Sequence, residues 1–439
     1  MARTFCSAAR CAAAVSLAFF VTLPAAQYGQ PATPRAAQPA PASPTTSNAA
    51  PAPPREGARP EVAKPLQAAQ ELLKAGKHAE ALTKLREAEA IGNLTPYELY
   101  LVQRMTGVAA NGIGDTALAI KSFAAVIDSG RLPAEEKLPM MEALAGLAFK
   151  AKDYPESIRW SQRFLAEGGK SDSVRTMLLN AQFLSNDCAG VTKTLTAVVQ
   201  EDAAAKRPTS ETHWKMLAQC QRTLGDNTGY VRTLERWVVQ YPKKEVWADL
   251  IGRAASHPGF AERLQLDLYR LMRATGTLES AEQFEHMAQL SLDAGYPAEA
   301  RQVLDDGFTR ERLGSGPNAQ RHNQMRRTAE QKAASDTVGA LEAMVPNVQT
   351  SVGLINIGYA MTTLGQIDRG VKLMRQGIAK GSLKHPEDAR LRLGAVLAQA
   401  GRTEEAREVL SSVTGKDGTG DLARLWMVFA ESGAGKGRK

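Results

Sequence analysis

One spaced pattern recurs along this chain and decides what it can fold into. A small residue is followed seven positions later by glycine, twelve later by a second small residue and sixteen later by a large apolar one. The clearest copies run through Ala69, Gly76, Ala81 and Leu85; Gly107, Gly114, Ala119 and Phe123; Ala288, Gly295, Ala300 and Leu304; Gly358, Gly365, Gly370 and Met374; and Gly394, Gly401, Ala406 and Leu410. Looser copies pass through Ala145, Lys152, Ser157 and Ser161, through Leu179, Asn186, Val191 and Leu195, and through Ala218, Gly225, Tyr230 and Leu234. The second small position steps through residues 81, 119, 157, 191, 230, 300, 370 and 406, so two long gaps each hide a degenerate copy, around Trp247–Met272 and around Arg321–Met344. Self-similarity at this period means a stacked array, in which length carries no limit from a single core.

The spacing has a physical reading as two antiparallel helices per unit. Glycine falls in the short turn, where the chain must take a positive φ. Small residues twelve apart meet across the hairpin and let the helix axes approach. The large residue one turn further fills the groove against the next unit.

This pattern resembles the tetratricopeptide repeat, whose period is about 34 residues. Trp214, Leu217, Ala218, Tyr230, Trp237 and Pro242 add to the likeness, with an aromatic opening the first helix and proline closing the unit. The resemblance covers nearly all of residues 61–432. It implies an all-α fold: a right-handed α-α superhelical solenoid of about nine to ten helix pairs, with the helical pattern of Leu422, Leu425, Trp426 and Phe429 capping its open end. It also implies a non-enzymatic scaffold that needs no cofactor and holds a protein or peptide partner on its concave face. The first helix of each pair lines that face in such arrays, and the exposed offsets give Arg104, Asn111, Asn180, Lys215, Gln219, Arg222, Gln289 and Tyr359. Either these side chains grip a partner backbone, or they are ordinary solvated helix faces. The family's carboxylate-clamp pattern is not reproduced, because Lys215 is followed four residues on by Gln219 where that pattern has Asn.

Two segments precede the array. Residues 1–26 place Arg3 and Arg10 before an apolar run from Cys11 to Leu23 and end in small residues, the layout of a secretory signal peptide cleaved after Ala25 or Ala26. That run is shorter than the about 20 residues a membrane-spanning helix needs, so membrane contact is expected only if the signal were retained as an anchor. Residues 27–60 are rich in Pro and Ala, and 31–60 contain no Val, Ile, Leu, Met or aromatic, which suits a disordered tether. The polar Gly/Pro stretch at 310–318 reads as a loop where the superhelix bends, and 433–439 as a basic tail. The expected address is therefore periplasmic or secreted, and the expected partner a component of a cell-envelope machine.

Charge and chemistry narrow the classes further. The formal charge is +8, and removal of the signal leaves +6. So mild an excess lacks the clustered footprint of a nucleic-acid binder. It does leave room for a second reading, direct binding of peptidoglycan or an acidic polysaccharide through the basic Arg310–Lys332 region. The six histidines are scattered without metal-ligand spacing, and neither the GSGPN nor the GAGKG stretch continues as a phosphate-binding loop, so no metal, catalytic residue or small-molecule substrate is expected. Cys188 and Cys220 fall on helices of neighbouring units. They are either one bridge between repeats or two separately buried thiols.

Overall fold

The computed structural model describes residues 57–433; the expected signal peptide, the expected tether up to residue 56 and the expected tail from residue 434 lie outside the described residues. The described residues form 21 α-helices and no strand. Successive helices pair: α1 (Pro60–Lys74) with α2 (His78–Ala90), α3 (Pro96–Ile113) with α4 (Thr116–Asp128), α5 (Ala134–Lys150) with α6 (Tyr154–Ala166), α7 (Asp172–Leu184) with α8 (Cys188–Ala204), and α9 (Glu211–Thr223) with α10 (Asn227–Gln240). The series continues with α11 (Lys244–Ala255) and α12 (Gln265–Thr275), α13 (Ala281–Asp293) and α14 (Pro297–Thr309), α17 (Ser351–Thr363) and α18 (Ile367–Lys380), and α19 (Pro386–Gln399) and α20 (Thr403–Leu410), before the last helix, α21 (Thr419–Glu431). One pair is irregular: α15 (Ala319–Ser335) packs chiefly on α14, and the short α16 (Val338–Met344) lies against α17. Both degenerate copies are thus helical, and 310–318 is the loop between α14 and α15.

The template works as the spacing requires. All eight turn positions have positive φ, from 59° to 83°, including Lys152 (60°) and Asn186 (59°), where the sequence departs from glycine. The hairpin contact is tight enough to exclude larger side chains. A Cβ on Gly358 would lie 2.7 Å from the carbonyl oxygen of Gly370, and one on Gly370 would strike the carbonyl oxygen of Gly358. In the third pair, where a serine stands in the second small position, the Ser157 hydroxyl donates to the Ala145 carbonyl oxygen at 3.0 Å across the same contact.

Second helices begin differently along the chain. In pairs two to five an aspartate follows the turn and caps the helix: Asp115, Asp153, Asp187 and Asp226 accept from the N–H three residues on, at 2.8–3.3 Å. Tyr296, Gln366 and Arg402 hold that place in later pairs and make no such bond.

The array begins one residue earlier than the sequence indicated. Helix α1 starts at Pro60, and Arg59, assigned to the tether, belongs to the folded body. Its N–H donates to Glu98 at 2.8 Å, and its guanidinium donates to the same carboxylate and to the Asn93 carbonyl oxygen. Glu98 is fully buried, and Arg59 together with backbone N–H donors holds its carboxyl down at about 2.

Three apolar cores run along the chain: Val62–Val174, a small one from Leu179 to Cys220, and Ala218–Ala430. The third closes on itself. Helix α21 covers α19 and α20, as a cap should, but it also packs against α10, α11 and α12. Trp247 of α11 meets Phe429 with ring centroids 6.4 Å apart, and Trp426 is completely buried. Polar ties cross the same seam. Arg263 donates to Asp388 at 2.9 Å and to Asp417 at 2.5 Å, Ala261 N–H to the Asp417 carbonyl oxygen at 2.9 Å, and Arg424 pairs with Glu235 at 2.8 Å.

Candidate functional site

The eight expected groove residues do not share one environment. Lys215, Gln219 and Arg222 are exposed along one face of α9, Asn180 is exposed on α7 and Asn111 near the end of α3. Lys215 pairs with Glu211 at 2.9 Å, a carboxylate that Lys243 also binds at 2.8 Å and that the two ammonium groups hold below its ordinary range.

Arg104 is not an open groove side chain. Only 13% exposed, its guanidinium reaches Glu136 of the next pair at 2.7 Å and Tyr100 Oη at 2.8 Å, tying two repeats together. Gln289 is exposed but donates to Asp293 at 2.8 Å, and it lies on α13, far along the chain from the α3–α9 set. Tyr359 corrects the offset rule outright. It is 5% exposed because α17 is covered where the array folds over itself, and its hydroxyl donates to Glu299 at 2.7 Å.

Around Tyr359 lies a charged interior that the spacing pattern did not reveal. Arg270 of α12 donates twice to Glu299 of α14, at 2.9 and 2.8 Å, and once to Asp267 at 2.8 Å. Arg392 of α19 donates to both oxygens of Asp267 at 3.2 Å, and Ser291 of α13 donates to Glu299 at 3.3 Å. The Arg270 guanidinium sits 4.1 Å from the Tyr359 ring centroid and 5.4 Å from that of Tyr296.

Burial works against the charges of Arg270, Arg392 and Glu299, yet pairing with opposite charges wins. Glu299 stays below its ordinary range because Arg270 faces it, and Arg270 stays well above its own. Tyr359 is pushed up by burial. Two guanidinium groups balance two carboxylates. The cluster is a satisfied ionic core joining α12, α14, α17 and α19.

Beside it is a cavity of about 190 Å³ lined by Arg270, Arg273, Met287, Glu299, Tyr359 and Gln399. The clue in the sequence was Asp267 and Arg270, one turn apart among Leu264, Leu266, Leu268 and Leu271. An acid and a base at that spacing within an apolar run mark a buried pair.

Cys188 and Cys220 are both free thiols. A cavity of about 740 Å³ lies between α6 and α9, with Leu178, Leu179 and Val198 as apolar lining and Lys170, Arg175 and His213 among its polar groups.

A tetratricopeptide repeat family profile matches residues 362–420, from the end of α17 to the start of α21. The matched stretch is a tetratricopeptide-like segment. It contains the whole Gly394–Leu410 copy of the pattern and, of the copy before it, Gly365, Gly370 and Met374. No curated protein sequence matches the chain.

Among solved structures, the chain is similar to Naa15/Naa10 bound to HypK-THB, at 13% identity over 80% of this chain and 62% of that one, with a TM-score of 0.28. It thus spans less than two thirds of that structure's length. It is also similar to the TPR2AB domain of yeast Sti1 in complex with pHSP90, at 16% identity over 61% of this chain and 98% of that one, with a TM-score of 0.28. Yeast Tom70 is similar at 10% identity over 85% and 95% of the two chains, with a TM-score of 0.23.

Proposed function

We propose that the protein is an exported, non-enzymatic scaffold of the bacterial cell envelope, periplasmic or secreted, that holds a segment of a partner protein along the first helices of pairs two to five. The observation that supports this most is a set of exposed amide and cationic side chains on first helices of the early pairs: Asn111 on α3, Asn180 on α7, and Lys215, Gln219 and Arg222 on α9. Of the two expected residues in the later array, Gln289 is exposed, whereas Tyr359 is consumed by an internal ionic cluster. Amide and cationic side chains on such a face hydrogen-bond an extended backbone and pair with its carboxylates, and desolvation on docking strengthens those bonds.

The test uses Lys215→Glu with Arg222→Glu, leaving Arg104 in place because it ties two repeats together. Crosslinked envelopes carrying tagged wild-type or variant protein are captured side by side. The expected result is loss of the same partner bands from the variant with its helical spectrum and melting temperature nearly unchanged; full retention by a folded variant contradicts the groove assignment. N-terminal sequencing of the recovered protein tests export, with a new N-terminus after Ala25 or Ala26 expected and an intact Met1 opposing it.

A further inference from the structure

Two cysteines share one small core, on helices that pack together, at the point where the open array gives way to the self-closed part. Cys188 is the first residue of α8 and is half-buried; Cys220, in α9, is 1% exposed. Helices α8 and α9 pack on one another, and both side chains belong to the small middle core with Leu179, Val191, Leu195 and Trp214. No other cysteine lies among the described residues.

We propose that Cys188 and Cys220 are a redox-responsive pair that closes into a disulfide stapling the fourth helix pair to the fifth. The bond would fall in the smallest of the three cores, which lies along the chain between the two larger ones. Closing the chain between residues 188 and 220 restricts the unfolded ensemble and holds the first helix of the fifth pair against the fourth. In that position the staple fixes the relation of Asn180 on α7 to Lys215 and Gln219 on α9, the residues proposed to share one partner.

The chemistry requires a disulfide-bearing donor. The accessible Cys188 thiolate attacks one donor sulfur, forming a mixed disulfide and expelling the other donor sulfur as a thiol. The Cys220 thiolate then attacks the Cys188 sulfur, forming the internal bond and releasing the second donor thiol. Two thiol protons leave the protein, two electrons pass to the donor, and the donor disulfide is reduced to two thiols. Burial pushes the Cys220 thiol up to about 12, so the second step waits on a local opening of the α8–α9 seam. Formation of the bond in the folded protein is independent of location, whereas its presence in the cell rests on the export proposed above.

Oxidised glutathione added to the folded, pre-reduced full chain is the test. The expected result is a Cys188–Cys220 cross-linked peptide on non-reducing mass mapping, with a melting temperature raised by about 5 °C and restored by dithiothreitol. Cys220→Ser, its fold checked by its helical spectrum, should instead accumulate glutathione on Cys188 without that rise. Wild-type protein that keeps a glutathione adduct on Cys188 while Cys220 remains alkylatable after denaturation would overturn the proposal. A separate arm alkylates the protein in intact cells before lysis. A pair found reduced there, when the purified protein has cross-linked, counts against export and leaves the pair standing.

Discussion

The first five helix pairs and the helices from α11 onward use one template to opposite ends. In the first region the units touch their neighbours along the chain, with α10 at its end also meeting α21, the second helices of pairs two to five carry aspartate caps, and α3, α7 and α9 keep amide and cationic side chains exposed. In the second, helix α21 returns to α10, α11 and α12, and contacts such as Arg263 with Asp417 join residues 154 positions apart. Around Tyr359 its interior is filled by the Arg270 cluster. A linear stack is stabilised pair by pair and can open in groups, whereas a stack whose last helix locks onto its first must break the seam before it opens. The first region is therefore the one suited to receiving another chain, and the second the one suited to holding its own shape.

The largest effect expected to break this contrast comes from the ionic core. Arg270→Met leaves Glu299 and Asp267 buried beside one remaining guanidinium. It should lower the stability of the second region by about 3–5 kcal/mol, read as an early transition in urea followed by tryptophan fluorescence. The first region, followed by hydrogen exchange in α3–α6, should be unaffected. Next in size is Gly370→Ala, whose methyl would strike the Gly358 carbonyl oxygen and push the two helices of that pair apart, at a cost of about 2 kcal/mol. Gly107 offers the milder counterpart, because its added Cβ meets the Phe123 ring, a side chain that can turn, rather than backbone.

These two variants also separate what the sequence made legible from what it hid. The turn and small positions were legible because positive φ and close axial approach restrict residue type at fixed offsets, and even Lys152 and Asn186 obey the backbone requirement. The pairing of Asp267 with Arg392 and the return of α21 left no such mark. Contacts between residues 125 or 154 positions apart have no period, and they fall near the copies where the template decays. Trp426 and Phe429 were read as a cap over one end; their second contact, with Trp247, depends on the curvature accumulated by all the helices between. Tyr359 failed as a groove residue for the same reason: the offset names a face, and the fold decided that this face would be inside.

Smaller still is the seam's ionic latch. Arg263→Ala should cost about 1 kcal/mol at neutral pH, the upper end for a solvent-screened pair. Arg263 and Thr419 hold Asp417 below its ordinary range in the folded state. That contribution is full above the unfolded value of about 3.9 and disappears as pH falls through the lower folded value. Melting temperatures of wild type and variant should thus differ at pH 7 and converge toward pH 2. Divergence on acidification would remove Asp417 from the latch. The smallest effect belongs to the open region: Asp115→Ala removes one helix cap and should cost about 0.5–1 kcal/mol, confined in hydrogen exchange to α3 and α4.

The central claim, that the later helices form one closed body while the earlier ones form an open stack, is tested most directly by native-state hydrogen exchange of the whole chain followed peptide by peptide. The closed body predicts that α21 exchanges with the same protection as α10–α12, and that Arg424→Ala, which removes the partner of Glu235, loosens all four helices together while leaving α3–α6 as they were. An α21 that exchanges early like a frayed terminus, with α10–α12 fully protected behind it, would contradict the account.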